Sequence, residues 1–207
     1  LIIAKDLVDS FEESTGLRLI KTISLIQGSE FKDQITSHPF LPRKSPIIFA
    51  DFVTTDAGTG AVHIAPGHGG DDYLAGQAAG LSVLSPVDDL GNYTEEVGIS
   101  HLVGKHVLKS NNDIIELLKE KGCLIGQEEY THSYPHCWRS KTPIIFRAVP
   151  QFFISINSFR NEALKEIDSV QWLPQKNRNR IYGTVEARPD WCISRQRTWG
   201  VPLPIFY

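Results

Sequence analysis

The chain has 207 residues, 41% of them hydrophobic and 22% charged, with a formal net charge of −3, the balance of an ordinary globular protein. No apolar run approaches the roughly 18 residues of a membrane-spanning helix, and LIIAKDLVDS at the amino terminus lacks the basic and apolar regions of a signal peptide. Three cysteines (Cys123, Cys137, Cys192) are too few for a disulfide framework, so a reducing cytoplasm is expected.

The sequence contains no methionine, opens on an apolar run (1–4) and closes on another (202–207). Complete domains usually end in polar, frayed tails, so a segment of a longer protein is expected. Short runs rich in Ile, Val, Phe and Thr at 17–26, 47–53, 61–65 and 82–87 predict β-strands, with turn clusters at 37–39, 56–60 and 89–92 between them. A helix of small residues is expected over 73–79, capped by Asp71 or Asp72 and closed by Gly80. The spacing predicts a helix over 113–121, with Ile114, Ile115, Leu117 and Leu118 on one face, Asn111 or Asn112 as cap and Gly122 as stop. A second amphipathic helix is expected over 159–167, with Phe159, Ala163, Leu164 and Ile167 aligned and Asn157 or Ser158 before it.

Composition shifts near 130–143, where Tyr, His, Trp, Pro and Cys crowd together, and a basic stretch (176–197) follows. Residues 1–138 hold 10 Lys/Arg against 19 Asp/Glu, whereas 139–207 hold 11 against 5. The asymmetry points the carboxyl-terminal third toward an anionic partner such as nucleic acid, or toward a solvated face of opposite bias.

Three segments could carry chemistry. In DAGTGAVHIAPGHGGDDY (56–73), glycines let backbone approach a ligand, and His63, His68, Asp71 and Asp72 lie within ten residues of one another. No phosphate-loop lysine and no G-x-G-x-x-G is present. His63, His68 and an aspartate are legitimate zinc ligands, but their spacing matches neither H-E-x-x-H nor paired knuckles. A helix cap and a core histidine account for the same residues. In HSYPHCWRS (132–140), position 140 is Ser where a zinc knuckle with Cys137 needs a second cysteine, which favours a structural role. In RPDWCISRQRTWGVPLP (188–204), Arg188, Arg195 and Arg197 alternate with Trp191 and Trp199, a mixture suited to a phosphate-rich, stacking ligand or to an aromatic core.

Taken together, these segments resemble the isoleucyl-tRNA synthetases, specifically their inserted editing domain and the return into the catalytic core. The resemblance rests on GTGAVHIAPGHGGDDY, on HSYPHCWRSKTPIIFRAVPQFF and on RPDWCISRQRTWGVPLP, in that order. It implies a mixed α/β fold: a β-barrel-like editing domain with peripheral helices over 1–132, then a connecting segment over 133–207 that returns to a nucleotide-binding fold. It implies hydrolysis of valine mischarged onto tRNA(Ile), within an enzyme that ligates isoleucine to tRNA(Ile) using ATP and Mg²⁺, monomeric and cytoplasmic. Asp72 would hold the substrate's α-ammonium and His63 would line the pocket floor as the catalytic pair. Gly67, His68, Arg195 and Trp199 would contact substrate or tRNA, and no metal is implied. The family's H-I-G-H and K-M-S-K-S sequences do not occur here, so aminoacylation is not expected of this segment alone. Two other readings stand beside this one: a non-catalytic tRNA-docking module, and a metal-dependent hydrolase using His63, His68 and Asp72.

Overall fold

A computed structural model describes every residue except 57, 128, 130, 197, 198 and 207. The chain divides into two compact units, Leu1–Ala148 and Val149–Tyr207.

In the first unit, a 3₁₀ turn (Lys5–Leu7) leads into α1 (Val8–Thr15). Gly16 stops the helix in the left-handed region at φ +71, with its N–H on the Glu12 carbonyl. Strands β1 (Ile35–Ser37) and β2 (Lys44–Pro46) form an antiparallel hairpin with Thr36 opposite Ser45. The hairpin loop is folded about His38, whose Nδ1 accepts the N–H groups of Phe40 (3.3 Å) and Leu41 (3.1 Å) while the Phe40 ring stands edge-on to the imidazole. Helix α2 (Gly70–Ala78) follows the glycine loop, and α3 (Asn111–Glu120) lies toward the end of the unit.

Leu7, Val87 and Leu102 are the buried apolar side chains of this unit among the described residues, with Ser110 buried beside them. The chain doubles back here. Val87 bridges Tyr93 and Asn92 bridges His106, while the Asp88 carboxylate closes the turn by accepting the N–H groups of Leu90 (2.9 Å) and Asn92 (2.8 Å). Ser110 occupies the N-cap of α3, yet its hydroxyl donates to the His106 carbonyl at 3.0 Å rather than accepting from the helix. Residues 133–148 belong to this unit. Tyr134 Oη donates to the Ile144 carbonyl at 2.9 Å, and the Arg147 guanidinium reaches the Val87 carbonyl at 2.8 Å and the Asp89 carboxylate.

The second unit pairs β3 (Phe153–Ile154) with β4 (Trp191–Cys192) and packs α4 (Arg160–Ser169) on α5 (Asn177–Glu186). Gln151, the Phe152 backbone and Ser194 form one hydrogen-bonded cluster beside β4. Arg160, at the start of α4, spreads its guanidinium over the end of α5, donating to the carbonyls of Val185 (2.6 Å), Glu186 (2.8 Å) and Arg188 (2.6 Å). Val185 and Glu186 close α5, where carbonyls run short of donors further along the helix, although the Val185 carbonyl also accepts the Ala187 N–H. Arg178 of α5 completes the joint by pairing with Asp168 of α4 through Nε at 2.9 Å and lying over the Tyr182 ring.

Several expectations are corrected. The runs at 17–26, 47–53, 61–65 and 82–87 form no strands, and only Val87 makes a single bridge. Strand propensity measures fit to a half-buried pleated surface; among the described residues no neighbouring strand lies alongside these runs, and no sheet has more than two strands. Ile20 and Ile23 are accordingly 98% and 92% exposed. Helix α2 begins at Gly70, not 73, so Asp71 and Asp72 sit inside its first turn and Gly69 is the N-cap. The basic stretch contains α5, which the sequence reading did not mark.

Candidate active site at the glycine loop

The loop entering α2 is built on Ala65. Its carbonyl accepts the His68 N–H at 2.9 Å, closing a tight turn over 65–68. Its N–H donates to Asp72 Oδ2 at 3.0 Å, so the first turn of α2 reaches back to the strand-like run before it. A carboxylate in a first helical turn also meets the positive end of the helix dipole. Asp72 is thus oriented by one oxygen, and Oδ1 receives no hydrogen bond from a described residue.

The glycines serve close approach. Gly67 is buried, and a Cβ there would lie 2.1 Å from the Leu84 carbonyl oxygen. Its own carbonyl accepts the Ala148 N–H at 2.7 Å. Gly69 passes against the Asp72 carboxyl, where a Cβ would stand 3.1 Å from Cγ. Side chains at either position would push the loop away from 84–85 or displace the carboxylate.

His68 is half-buried, and its Nδ1 lies 3.0 Å from the Phe146 carbonyl oxygen. With His63, it lines a largely apolar cleft of about 2220 Å³ walled by 17–26, 45–50 and the 81–87 run. Arg43, Lys44, Arg18 and Lys21 place cations along the same cleft. His63 is exposed to that space, and no described residue hydrogen-bonds its ring. Asp72 and Gly67 are not among the residues lining the cleft, whereas their loop neighbours Pro66 and His68 are.

Of the other predicted residues, Arg195 belongs to the second unit and folds its guanidinium onto its own chain, donating to the carbonyls of Cys192 and Ser194 at 2.7 Å each. Trp199, in the same unit, is 94% exposed, and Arg197 lies outside the described residues. In the 132–140 cluster, the Ser140 hydroxyl is engaged with Thr142 at 2.7 Å. Among the described residues no three His, Cys, Asp or Glu side chains gather as a metal site. Reading the sequence did not mark Phe146, which orients His68, or Leu84, which packs on Gly67. Both act through backbone carbonyls, which leave no side-chain signature.

A family model described as tRNA synthetases class I (I, L, M and V) matches residues 10–207. The chain belongs to the class I tRNA synthetases. Within this synthetase family it is 53% identical to the isoleucine–tRNA ligase of Methylacidiphilum infernorum over 89% of the chain and 20% of that protein. It is 50% identical to that of Desulfotalea psychrophila over 99% of the chain and 22% of the relative. The corresponding figures for Desulforamulus reducens are 47% over 100% and 22%. The chain therefore spans about a fifth of the length of these synthetases. No helix among its described residues is long and apolar enough to cross a membrane.

Proposed function

We propose that this segment carries the hydrolytic editing site of an isoleucine–tRNA ligase, which removes valine esterified in error to tRNA(Ile). The observation that carries the reading is the Ala65 turn, which presents His68 to the cleft and holds Asp72 by one oxygen. The names of the relatives supply the amino acid and the tRNA.

The need for such a site is physical. One methylene in an apolar pocket is worth only about 1–3 kcal/mol, the isoleucine–valine pair being the standard illustration, so a second and smaller pocket must remove the error. In this reading Asp72, adjacent to the cleft rather than in its lining, offers its free Oδ1 to the α-ammonium of the misplaced valine, a charge-assisted contact that fixes the ester carbonyl for attack. His63 occupies the volume that the longer isoleucine side chain would need. The cations along the cleft suit the phosphates of a tRNA terminus, and the cleft is larger than the roughly 300–1,000 Å³ of small-ligand pockets.

ATP and Mg²⁺ serve ligation in the parent enzyme. The family's two ATP-site sequences do not occur in this chain. The metal-dependent hydrolase reading requires His63, His68 and Asp72 to converge, and among the described residues no three His, Cys, Asp or Glu side chains gather as a metal site. A tRNA-docking module without chemistry is separated by assay. The full-length ligase should hydrolyse Val-tRNA(Ile) and spare Ile-tRNA(Ile); tRNA binding with no hydrolysis of either ester would refute editing.

A further inference from the structure

Hydrolysis of an ester by water needs an acceptor for the water's proton, either a side chain or the neighbouring ribose hydroxyl of the tRNA terminus, and the editing reading on which this inference rests names neither. Asp72 has one oxygen on the Ala65 N–H, and in that reading the other holds the ammonium. The His63 ring is exposed and unfixed by any described residue. His68 differs from both.

The Phe146 carbonyl oxygen, 3.0 Å from His68 Nδ1, can only accept a hydrogen bond. Nδ1 therefore carries the hydrogen, and in the neutral ring the lone pair is on Nε2. No described residue donates to that nitrogen. The backbone beneath the ring is held as firmly. The His68 N–H closes the turn on Ala65, and Gly67 before it is pinned between the Ala148 N–H and the Leu84 carbonyl. The ring is half-buried and lines the cleft with His63. An oriented base with its second nitrogen fixed by an acceptor is the arrangement that general-base catalysis requires.

We propose that His68 is the general base of the editing reaction. Nε2 takes a proton from the attacking water as the water oxygen bonds to the ester carbonyl carbon. The tetrahedral intermediate then breaks its bond to the ribose oxygen, which takes the proton back from Nε2. Valine and a tRNA with its hydroxyl restored leave, and His68 returns to its starting state. Phe146 contributes only its carbonyl, as the acceptor that keeps the ring turned.

The test uses the full-length ligase with Val-tRNA(Ile), comparing the wild type with His68→Asn, His68→Ala and Asp72→Ala. In His68→Asn the side-chain amide nitrogen reaches the Phe146 carbonyl as Nδ1 does, while nothing replaces Nε2. The expected result is a fall in the kcat of hydrolysis of about 100-fold or more, with KM and melting temperature unchanged. Imidazole added to His68→Ala should restore part of the lost rate, which a merely structural histidine would not allow. Wild-type rates in His68→Asn, or no response of His68→Ala to imidazole, would overturn the proposal. The two failures are separable. Wild-type hydrolysis that Asp72→Ala abolishes and His68→Asn retains removes His68 alone, whereas a wild type inert toward Val-tRNA(Ile) removes the editing reading with it.

Discussion

The N–H of Ala65 donates to Asp72 Oδ2 at 3.0 Å across seven residues of chain. The carboxylate is thereby a structural partner of the loop and, by its other oxygen, the proposed anchor of the substrate. Substitutions at position 72 must be read with both roles in view.

Replacing Asp72 with Asn keeps an oxygen for the Ala65 N–H and removes the charge. Replacing it with Ala removes both, leaving a half-buried donor unsatisfied at a cost of about 1–3 kcal/mol. Both variants should lose hydrolysis of Val-tRNA(Ile), and only Asp72→Ala should also melt at lower temperature. Full hydrolysis by Asp72→Asn would show that the charge is not needed and that the carboxylate serves the loop alone.

His63→Ala should relax the size limit of the pocket. Crowding of the isoleucine side chain by an imidazole costs about 1–3 kcal/mol, and each 1.4 kcal/mol is roughly tenfold. Hydrolysis of Ile-tRNA(Ile) relative to Val-tRNA(Ile) should therefore rise by about 10- to 100-fold. Both rates, measured on one preparation, check this; an unchanged ratio would locate the sieve elsewhere.

Gly67→Ala drives a methyl group against the Leu84 carbonyl, 2.1 Å away. Backbone on both sides must shift, at a cost of about 1–3 kcal/mol. The expected outcome is a lower melting temperature together with slower hydrolysis, since the same shift moves His68. Thermal melts and a deacylation time course on the variant test the two together.

The His38 imidazole titrates below the ordinary histidine value because burial disfavours its cation and the charges of Arg43 and His63 lie near it. The unfolded chain then binds that proton at a higher pH than the folded one. The stability held by neutral His38 is complete above the unfolded value of about 6.5 and is lost as pH falls through it toward the lower folded value. His38→Asn keeps an acceptor for Phe40 and Leu41 without titrating. Denaturation midpoints at about pH 7 and about pH 5 should fall further on acidification in the wild type than in this variant.

The parts legible in the sequence were those encoded locally. Helices α3 and α4 announce themselves by apolar residues at helical spacing (Ile114, Leu117, Leu118; Ala163, Leu164, Ile167) and lie close to where that spacing puts them. The glycine loop was visible because its glycines, histidines and aspartates are contiguous. Helix α5 was not, since Ile181 and Val185 are set among Asn, Arg and Gly183 with no clean apolar stripe. The strand-like runs misled because propensity records what a residue would do beside a partner, and none is present among the described residues. The Phe146 bond to His68 spans 78 positions and uses a backbone oxygen, so no residue pattern could have disclosed it.

Arg160 has a consequence for how the second unit comes apart. Its guanidinium belongs to the first residue of α4 and closes the last carbonyls of α5, with Asn157 holding the same group from the other side at 2.8 Å. Helix ends ordinarily fray one residue at a time, independently of their neighbours. Here, unravelling the carboxyl end of α5 also breaks the hydrogen bonds of the first side chain of α4. Opening of the two ends, distant in the chain, is therefore coupled through one guanidinium, which ties the helical hairpin together at that corner.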